Sequence, residues 1–474
     1  MKSKYLILAI VFGSVLFLAS CSKTAEDFLE IRPGGNSVLT INAIKTSDDL
    51  KKLMISAYAQ INSAGFMDGN PLVSADVMAD DAITRSSIFD WSQIVGHSMD
   101  LFNPRGRTTW ANTYLSINRA NVATSSTIAD PILATADAAT VTQLKADAAF
   151  IRGLGFFHLV RLFGLPYDAT TKNIAGRGIV IRLRGTTTIK ESFDKLQRST
   201  VEETYTQIIA DLTFAAANLP TTRTTWNNGF ATRDIAKSVL AKVYFFKGDM
   251  VNAASTAKSV MESGNYDLDA DIITKYSRAT TSGGKTKEII WGIPSVSATN
   301  NLWGGLTGAY RTNNSSGALP QFSPSESLIA AYTPAKDIRY NKFFLTKNGV
   351  IYTKKFDYNA MDAITMGFDE LLLIYAEATA TEGTPTALGD AVLWLNKIEK
   401  RAYGAAVTTV ASGADGIIAA VRKERRLELC LRGERLHELK RLKLNIRGDA
   451  WDSRKVMFQI PDDEQSGNPG IILN

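Results

Sequence analysis

The chain has 474 residues, of which 45% are hydrophobic, and a formal net charge of +6 from 53 Lys and Arg against 47 Asp and Glu. This composition is typical of a globular protein with a sizeable core and excludes wholesale disorder. With 2 Cys and 3 His, the sequence also excludes a disulfide scaffold and argues against a cysteine-rich or histidine-rich metal site, so we expect neither a metal nor another cofactor.

Residues 1–20 have the pattern of a signal peptide. Lys2 and Lys4 precede an apolar stretch from Tyr5 to Leu18, and the small residues Ala19 and Ser20 follow. The ending Leu-Ala-Ser-Cys resembles a bacterial lipobox, so we expect Cys21 to be lipidated and to become the N-terminus. An ordinary secretory signal with a chance cysteine is the alternative. Because cleavage removes two lysines, the mature chain is only mildly basic, which gives no indication of a nucleic-acid partner.

The rest of the chain is predicted to be mostly helical. Apolar residues recur at helical spacing over residues 50–61, 110–120, 144–162, 201–216, 235–246, 253–260, 372–379 and 392–398. Thr46–Asp49 is typical of a helix N-cap, and Ser199–Glu202 of a capping box. Ala241–Asp249, followed by Ala253, has the small–aromatic–Gly–Ala pattern of a tetratricopeptide unit, and Tyr375–Ala391 repeats it loosely. We therefore predict stacked helix pairs, with chance Ala and Gly spacing as the alternative.

Two long segments lack helical periodicity. Residues 67–104 are rich in Asp, Asn, Gly and Ser and include Trp91 and Phe102. Residues 277–320 are similar in composition, include Trp303 and Tyr310, and contain a strand-like run at Glu288–Trp291. Long irregular segments in a compact protein are usually functional or mobile. We therefore predict that they form a polar binding surface with embedded aromatic residues.

No strong catalytic motif is present. The sequence contains neither H-E-x-x-H nor G-x-S-x-G, and Gly284-Lys285-Thr286 precedes a predicted strand rather than the helix that a phosphate loop needs. Asp76 with Asp80 or Asp81 could supply the two carboxylates of a glycoside hydrolase. Solvated, capping or cation-binding roles are the alternative for these three residues.

The segment Arg422–Lys443 is dense in charges of both signs. Glu428 lies four residues before Arg432, and Glu438 three residues before Arg441, which is the order that stabilises a helix face. We predict a helix with salt bridges rather than a nucleic-acid-binding patch.

Six segments in chain order resemble the SusD/RagB family of outer-membrane nutrient-binding lipoproteins of Bacteroidetes. The resemblance begins at the lipobox and runs to the C-terminal I-P-x-x-E-x-x-x-N-P pattern. Its segments are the lipobox with Asp27–Glu30, then Trp110–Asn121, Ala146–Gly164, Thr232–Asp249, Glu424–Arg435 and Ile460–Pro469. Gly153 and Gly155 depart from the commoner helix-forming residues of the third segment.

The resemblance implies an all-α, SusD-like fold in which four tetratricopeptide-like helix pairs carry loop-rich insertions. It implies one domain over residues 21–474, with an N-terminal part at about 21–220 and a C-terminal part at about 221–474. It also implies a lipid-anchored protein on the outer face of the outer membrane and a partner, a TonB-dependent SusC-like barrel. The function expected is non-catalytic capture of an oligosaccharide for import.

The two irregular segments are where the resemblance places ligand contacts. A sugar site needs aromatic rings for the apolar faces and polar groups for the hydroxyls. The candidate ligand residues are Trp91, Asn103, Trp303, Tyr310, Arg311 and Asn313. RagB-like peptide capture, a surface glycoside hydrolase and a purely structural tetratricopeptide adaptor remain alternatives.

Overall fold

The chain is mostly helical, as predicted. The computed structural model describes residues 43–67, 69–85, 87–192, 194–223, 229–276, 286–293, 308–313, 318–358, 362–405 and 413–474. Residues Thr46–Asn474 form one compact unit. Its α-helices are α1 (Ser47–Ile61), α2 (Asn70–Met78), α3 (Phe89–Val95), α4 (Pro104–Thr124), α5 (Ala129–Leu133), α6 (Ala138–Phe163), α7 (Ile189–Ser192), α8 (Val201–Asn218), α9 (Arg233–Lys247), α10 (Met250–Met261), α11 (Glu326–Ala330), α12 (Ile338–Phe343), α13 (Phe368–Ala380), α14 (Pro385–Tyr403), α15 (Gly413–Glu428), α16 (Arg435–Arg441) and α17 (Asp462–Gly467).

Short polar motifs set the ends of the paired helices. Thr46 is the N-cap of α1, as predicted, and it forms a capping box with Asp49. The capping box of α8 is formed by Thr200 and Glu203, one residue later than the predicted box. After α9, Gly248 adopts a left-handed conformation with φ of 81°, which allows α10 to begin at once.

Four helix pairs form the scaffold, and they stack in chain order. α1 packs on α4, α6 on α8, α9 on α10, and α13 on α14, while α4–α6, α8–α9 and α10–α13 contacts join successive pairs. Gly153 and Gly155 explain why α6 departs from ordinary helix formers. A Cβ atom would lie 2.9 Å from Leu212 Cγ at Gly153 and 2.9 Å from Ile117 at Gly155, so the two glycines let α6 approach both α8 and α4 closely.

The described residues also contain three antiparallel strand pairs. β1 (Ala82–Thr84) pairs with β3 (Phe322–Pro324), β2 (Ile289–Ile293) with β6 (Ala363–Gly367), and β4 (Phe344–Lys347) with β5 (Val350–Thr353). The predicted strand at Glu288–Trp291 is therefore confirmed within β2. The prediction that residues 67–104 lack helix is wrong, because α2 and α3 lie there. Both are short, and Pro71 is the second residue of α2, a position in the first turn that suits proline.

A buried ionic cluster connects the charged segment Arg422–Lys443, called the C-terminal motif below, to the helix scaffold. The Lys275 ammonium is fully buried and contacts carboxylate oxygens of Glu288 at 2.8 Å, Asp369 at 2.6 Å and Glu428 at 3.2 Å. Arg401 bridges Glu288 at 2.6 Å and Glu428 at 2.7 Å. Burial alone would lower the pKa of Lys275, but the three carboxylates raise it. This ammonium is therefore charged, and it belongs to the core.

The other charged residues of the C-terminal motif make long-range contacts in the core and do not form a solvent-exposed helix face. Arg425 contacts Glu370 at 3.0 Å and Glu438 at 2.9 Å, and all three side chains are buried. The predicted Glu438–Arg441 pair is confirmed at 2.9 Å. Arg432, predicted to pair with Glu428, instead contacts Asp369 at 3.1 Å, because α15 ends at Glu428 and the chain turns before α16. The ion pairs of the motif thus connect α13, α15 and α16 in the core.

Candidate ligand-binding surface

The two segments predicted to form the ligand surface meet at one aromatic cluster. Strands β1 and β3 place Phe322 between the first segment and the second. The ring of Trp91 in α3 lies edge-on to Phe322 at 4.9 Å, and the ring of Tyr310 lies 6.0 Å from the same residue. The structure therefore brings Trp91 and Tyr310 to the same cluster, although 218 positions of sequence separate them.

Trp91 and Tyr310 are buried beneath the protein surface, and their rings are not exposed to a ligand. Trp91 is 3% exposed, and the Arg105 guanidinium covers its ring at 4.8 Å. Tyr310 is fully buried, stacks on Phe356 at 5.5 Å and donates its hydroxyl to Asp76 Oδ2 at 3.3 Å. Neither ring has a free face for a ligand. This corrects the prediction that they are aromatic platforms, because their apolar area is already used in packing.

Asn103 is also a structural residue. It is the N-cap of α4, where its side-chain oxygen accepts from Arg105 N at 3.0 Å. Its amide donates to Asp90 O at 3.0 Å and to Gln93 Oε1 at 2.8 Å, and the side chain is buried. The prediction that Asn103 contacts ligand is also corrected, because its polar atoms already make hydrogen bonds within the protein.

Arg311 and Asn313 lie at the surface beyond Tyr310. Arg311 Nε donates to Asn313 Oδ1 at 2.7 Å, and Asn313 Nδ2 donates to Asp357 O at 2.8 Å. Asn313 is exposed and Arg311 is half-buried. These two residues remain candidates for hydroxyl contacts. Trp303 and the lipidation residue Cys21 lie outside the described residues.

Two exposed phenylalanines were not selected from the sequence. Phe89, the first residue of α3, is 75% exposed, and Phe102, just before α4, is 66% exposed. The hydrogen bond from Asn103 Nδ2 to Asp90 O brings the backbone beside Phe102 close to the backbone beside Phe89. Arg105 also contacts Asp90 at 2.7 Å. Large apolar groups exposed next to each other commonly mark an interaction site. We call Phe89 and Phe102, with Arg105 beside them, the Phe89–Phe102 surface.

The three aspartates considered for hydrolysis do not form an open carboxylate pair. Asp76 is fully buried and accepts from Gly433 N at 3.0 Å and from Tyr310 Oη, while burial, with Asp81 adding to it, raises its pKa. Asp80 accepts two hydrogen bonds from Arg435, at 2.6 and 2.9 Å. Asp81 is buried against Arg426 at 3.0 Å. These contacts fit structural roles for all three residues.

One group of three carboxylates in the described part of the chain is close enough to hold a metal ion. Its members, Glu288, Asp369 and Glu428, have ligand oxygens within 4.8 Å of one another. The Lys275 ammonium contacts all three, so the protein itself supplies the cation.

Within the described ranges, none of the helices has the length and apolar character needed to cross a bilayer.

Comparison with known families agrees with the arrangement of helix pairs and insertions. A family model described as "Starch-binding associating with outer membrane" matches residues 27–245, and a model of the SusD family matches residues 310–469. The chain belongs to the SusD/RagB family.

Individual SusD relatives resemble this chain over nearly its whole length. SusD-like protein P2 of Formosa agariphila is 24% identical, over 93% of this chain and 91% of its own. A SusD superfamily protein from Bacteroides thetaiotaomicron has a similar fold, with a TM-score of 0.73 and 21% identity over 91% of this chain and 100% of its own. A SusD-like carbohydrate binding protein from Bacteroides vulgatus has a TM-score of 0.72 and 18% identity, over 90% and 98% of the two chains.

Proposed function

We propose that this SusD-family protein is a non-catalytic, cell-surface lipoprotein that binds an oligosaccharide and delivers it to a TonB-dependent SusC-like barrel. The family model over the N-terminal half is described as starch-binding, and the B. vulgatus neighbour as carbohydrate binding. These descriptions support a sugar as the class of ligand. Delivery to a barrel follows from the family resemblance.

The exposure of Phe89 and Phe102 is the observation that carries the sugar proposal. Sugar rings have apolar C–H faces that pack on aromatic rings, and their hydroxyls need polar partners. The two phenylalanines offer apolar faces next to Arg105, and Arg311 with Asn313 offers polar groups at the end of the second segment. Full burial of a phenylalanine contributes about 1.5–3 kcal/mol, so partial covering of each ring contributes about 1–2 kcal/mol.

Isothermal titration against a panel of oligosaccharides tests this proposal. We expect one glycan class to bind, and Phe89→Ala and Phe102→Ala each to weaken its binding about tenfold, because 1.4 kcal/mol corresponds to a factor of ten. Phe214→Ala is the matched control, since it removes a 41% exposed ring from α8 and should leave binding unchanged. If glycans bind equally well to both variants and to the unmodified protein, the Phe89–Phe102 surface is not the site.

The same panel separates the alternatives. Binding of peptides but of no glycan would favour RagB-like peptide capture. Conversion of an oligosaccharide during long incubation, abolished in Asp76→Ala, would favour a surface glycoside hydrolase. Unchanged glycan is the result expected, because both Asp76 oxygens already accept hydrogen bonds within the protein.

The proposed anchor is tested separately. Lipidated Cys21 would hold the protein at the outer face of the outer membrane through several acyl chains, since one chain gives only marginal affinity. We expect Cys21→Ser to lose lipid labelling and to leave the membrane fraction in cells that lack the SusC-like barrel. Retention of this variant only in cells with the barrel would show that the barrel holds it, whereas retention without the barrel would contradict the anchor.

A further inference from the structure

A small cavity lined by basic groups lies away from the proposed ligand surface. It is bounded by the C-terminal end of α6, by α8, α9 and α16, and by the loop after α6. Its volume is about 30 Å³. The described lining contains no Asp or Glu, and its polar members include Arg161 of α6 and three residues of α16, namely His437, Lys440 and Arg441.

Several nitrogen atoms of this lining have no hydrogen-bond partner among the described residues. They are His437 Nδ1, Arg161 Nε and Arg441 Nε. Lys440 is only 4% exposed, and the hydrogen bond from its ammonium, to Arg161 O, is long at 3.4 Å. A buried donor without an acceptor destabilises a fold, and a buried charge without a partner does so more strongly, so these groups favour a partner inside the cavity.

The charge of Lys440 is also unbalanced, whereas Arg441 contacts Glu377 and Glu438, each at 2.9 Å. Within the described residues, no carboxylate lies within ion-pair distance of Lys440. Arg161 contacts Glu434 at 3.3 Å, but that carboxylate also contacts Lys242 at 2.7 Å. Burial, and then the charge of Arg161, lowers the pKa of Lys440 to about 7, so a negative partner would restore its charged form.

We propose that this cavity is an anion site that binds one monatomic halide, with chloride as its ordinary occupant, between α6 and α16. The lining selects the class of partner. It offers N–H donors and one buried ammonium and contains no Asp or Glu, and its volume of about 30 Å³ has room for a small anion. The bound halide accepts from the unpartnered donors and balances Lys440, and so it holds α16 against the second helix pair.

Crystals of the unmodified protein grown in sodium bromide give the direct test. We expect an anomalous bromine peak in the cavity, in contact with Lys440 Nζ. Lys440→Met should abolish the peak. Lys443→Met should keep it, since Lys443 lies three residues away, is half-exposed and contacts Asp168. Ordinary density for water with no anomalous peak in the unmodified protein would overturn the proposal, whether or not the variant folds.

Thermal unfolding gives an independent solution test. Sodium chloride is compared with sodium gluconate at equal ionic strength, because gluconate is too large for the cavity. At chloride concentrations about 100 times Kd, we expect the Tm to be about 3 °C higher in sodium chloride than in sodium gluconate. Lys440→Met should remove this difference and Lys443→Met should retain it. Equal Tm values in the two salts for the unmodified protein would contradict the proposal.

Discussion

Removal of the central cation of the buried cluster tests how the C-terminal motif stabilises the fold. In Lys275→Met, the side chain keeps its approximate length and loses its charge. The carboxylates of Glu288, Asp369 and Glu428 then lose the ammonium that contacts all of them at 2.6–3.2 Å. Arg401 still contacts Glu288 and Glu428, and Arg432 still contacts Asp369 at 3.1 Å, but the shortest contact of Asp369, to the ammonium, is lost.

The expected loss is large because the carboxylates cannot reach water. Breaking a fully buried ion pair by removal of one partner typically costs about 3–5 kcal/mol. For a compact unit of about 430 residues, this corresponds to a fall in Tm of about 3–6 °C. Lys342→Met is the matched control. Lys342 contacts Asp271 at 2.7 Å but is half-exposed, and such pairs contribute about 0–1 kcal/mol.

Differential scanning calorimetry on both variants, at neutral pH and fixed ionic strength, measures the difference. The double variant Lys275→Met/Glu288→Gln should recover part of the loss, because one of the three buried carboxylates that the ammonium compensated is then uncharged. If Lys275→Met melts within about 1 °C of Lys342→Met, the reasoning that the ammonium compensates the buried carboxylates is refuted.

Two further predictions concern carboxylates. Although burial alone would raise the pKa of Glu438, Arg441 and Arg425 lower it to about 2. A carboxylate whose pKa is lower in the folded chain than its unfolded value of about 4.5 adds stability above that pH, and this stability is lost as the pH falls towards 2. Tm should therefore be steady from pH 7 to 5 and fall steeply below about pH 4.5. A Tm unchanged between pH 5 and 3 would contradict this. Asp76→Asn should lower the unfolding free energy at pH 7 by about 1–3 kcal/mol, because the new amide nitrogen cannot accept the hydrogen bond that one carboxyl oxygen accepts from Gly433 or Tyr310, and denaturant titration measures it.

Local patterns predicted the scaffold well, because helix caps and apolar spacing act over a few residues. The helix periodicity, the turn at Gly248 and the N-cap at Thr46 all have their determinants within one turn of chain.

The ligand surface depended on contacts that no local pattern reveals. Whether Trp91 is a platform or a core residue is decided by Phe322 and Arg105, and Phe322 lies more than 200 positions away in sequence. An aromatic residue in a polar segment fits either role equally well. The exposed Phe89 gave no separate signal, since it begins a helix that the polar composition of its segment concealed.

The Gly433 position shows how the C-terminal motif also supports the second segment. Gly433 has φ of 76°, and a Cβ there would lie 2.6 Å from the Leu72 Cα, a backbone atom that cannot move alone. Its N–H donates to Asp76, which in turn accepts from Tyr310. Gly383→Ala is the matched control, because its φ is 70° and nothing lies within 4 Å of the added carbon.

The left-handed conformation alone costs a non-glycine residue about 1–2 kcal/mol, so we expect Gly383→Ala to lower Tm by about 1–2 °C. Gly433→Ala bears the same conformational cost and must also displace α2 at Leu72, and we expect a fall of about 3 °C or more. Calorimetry of the two variants compares them directly. Equal losses would mean that α2 yields to the added carbon without cost, and that Gly433 is required only for its backbone conformation.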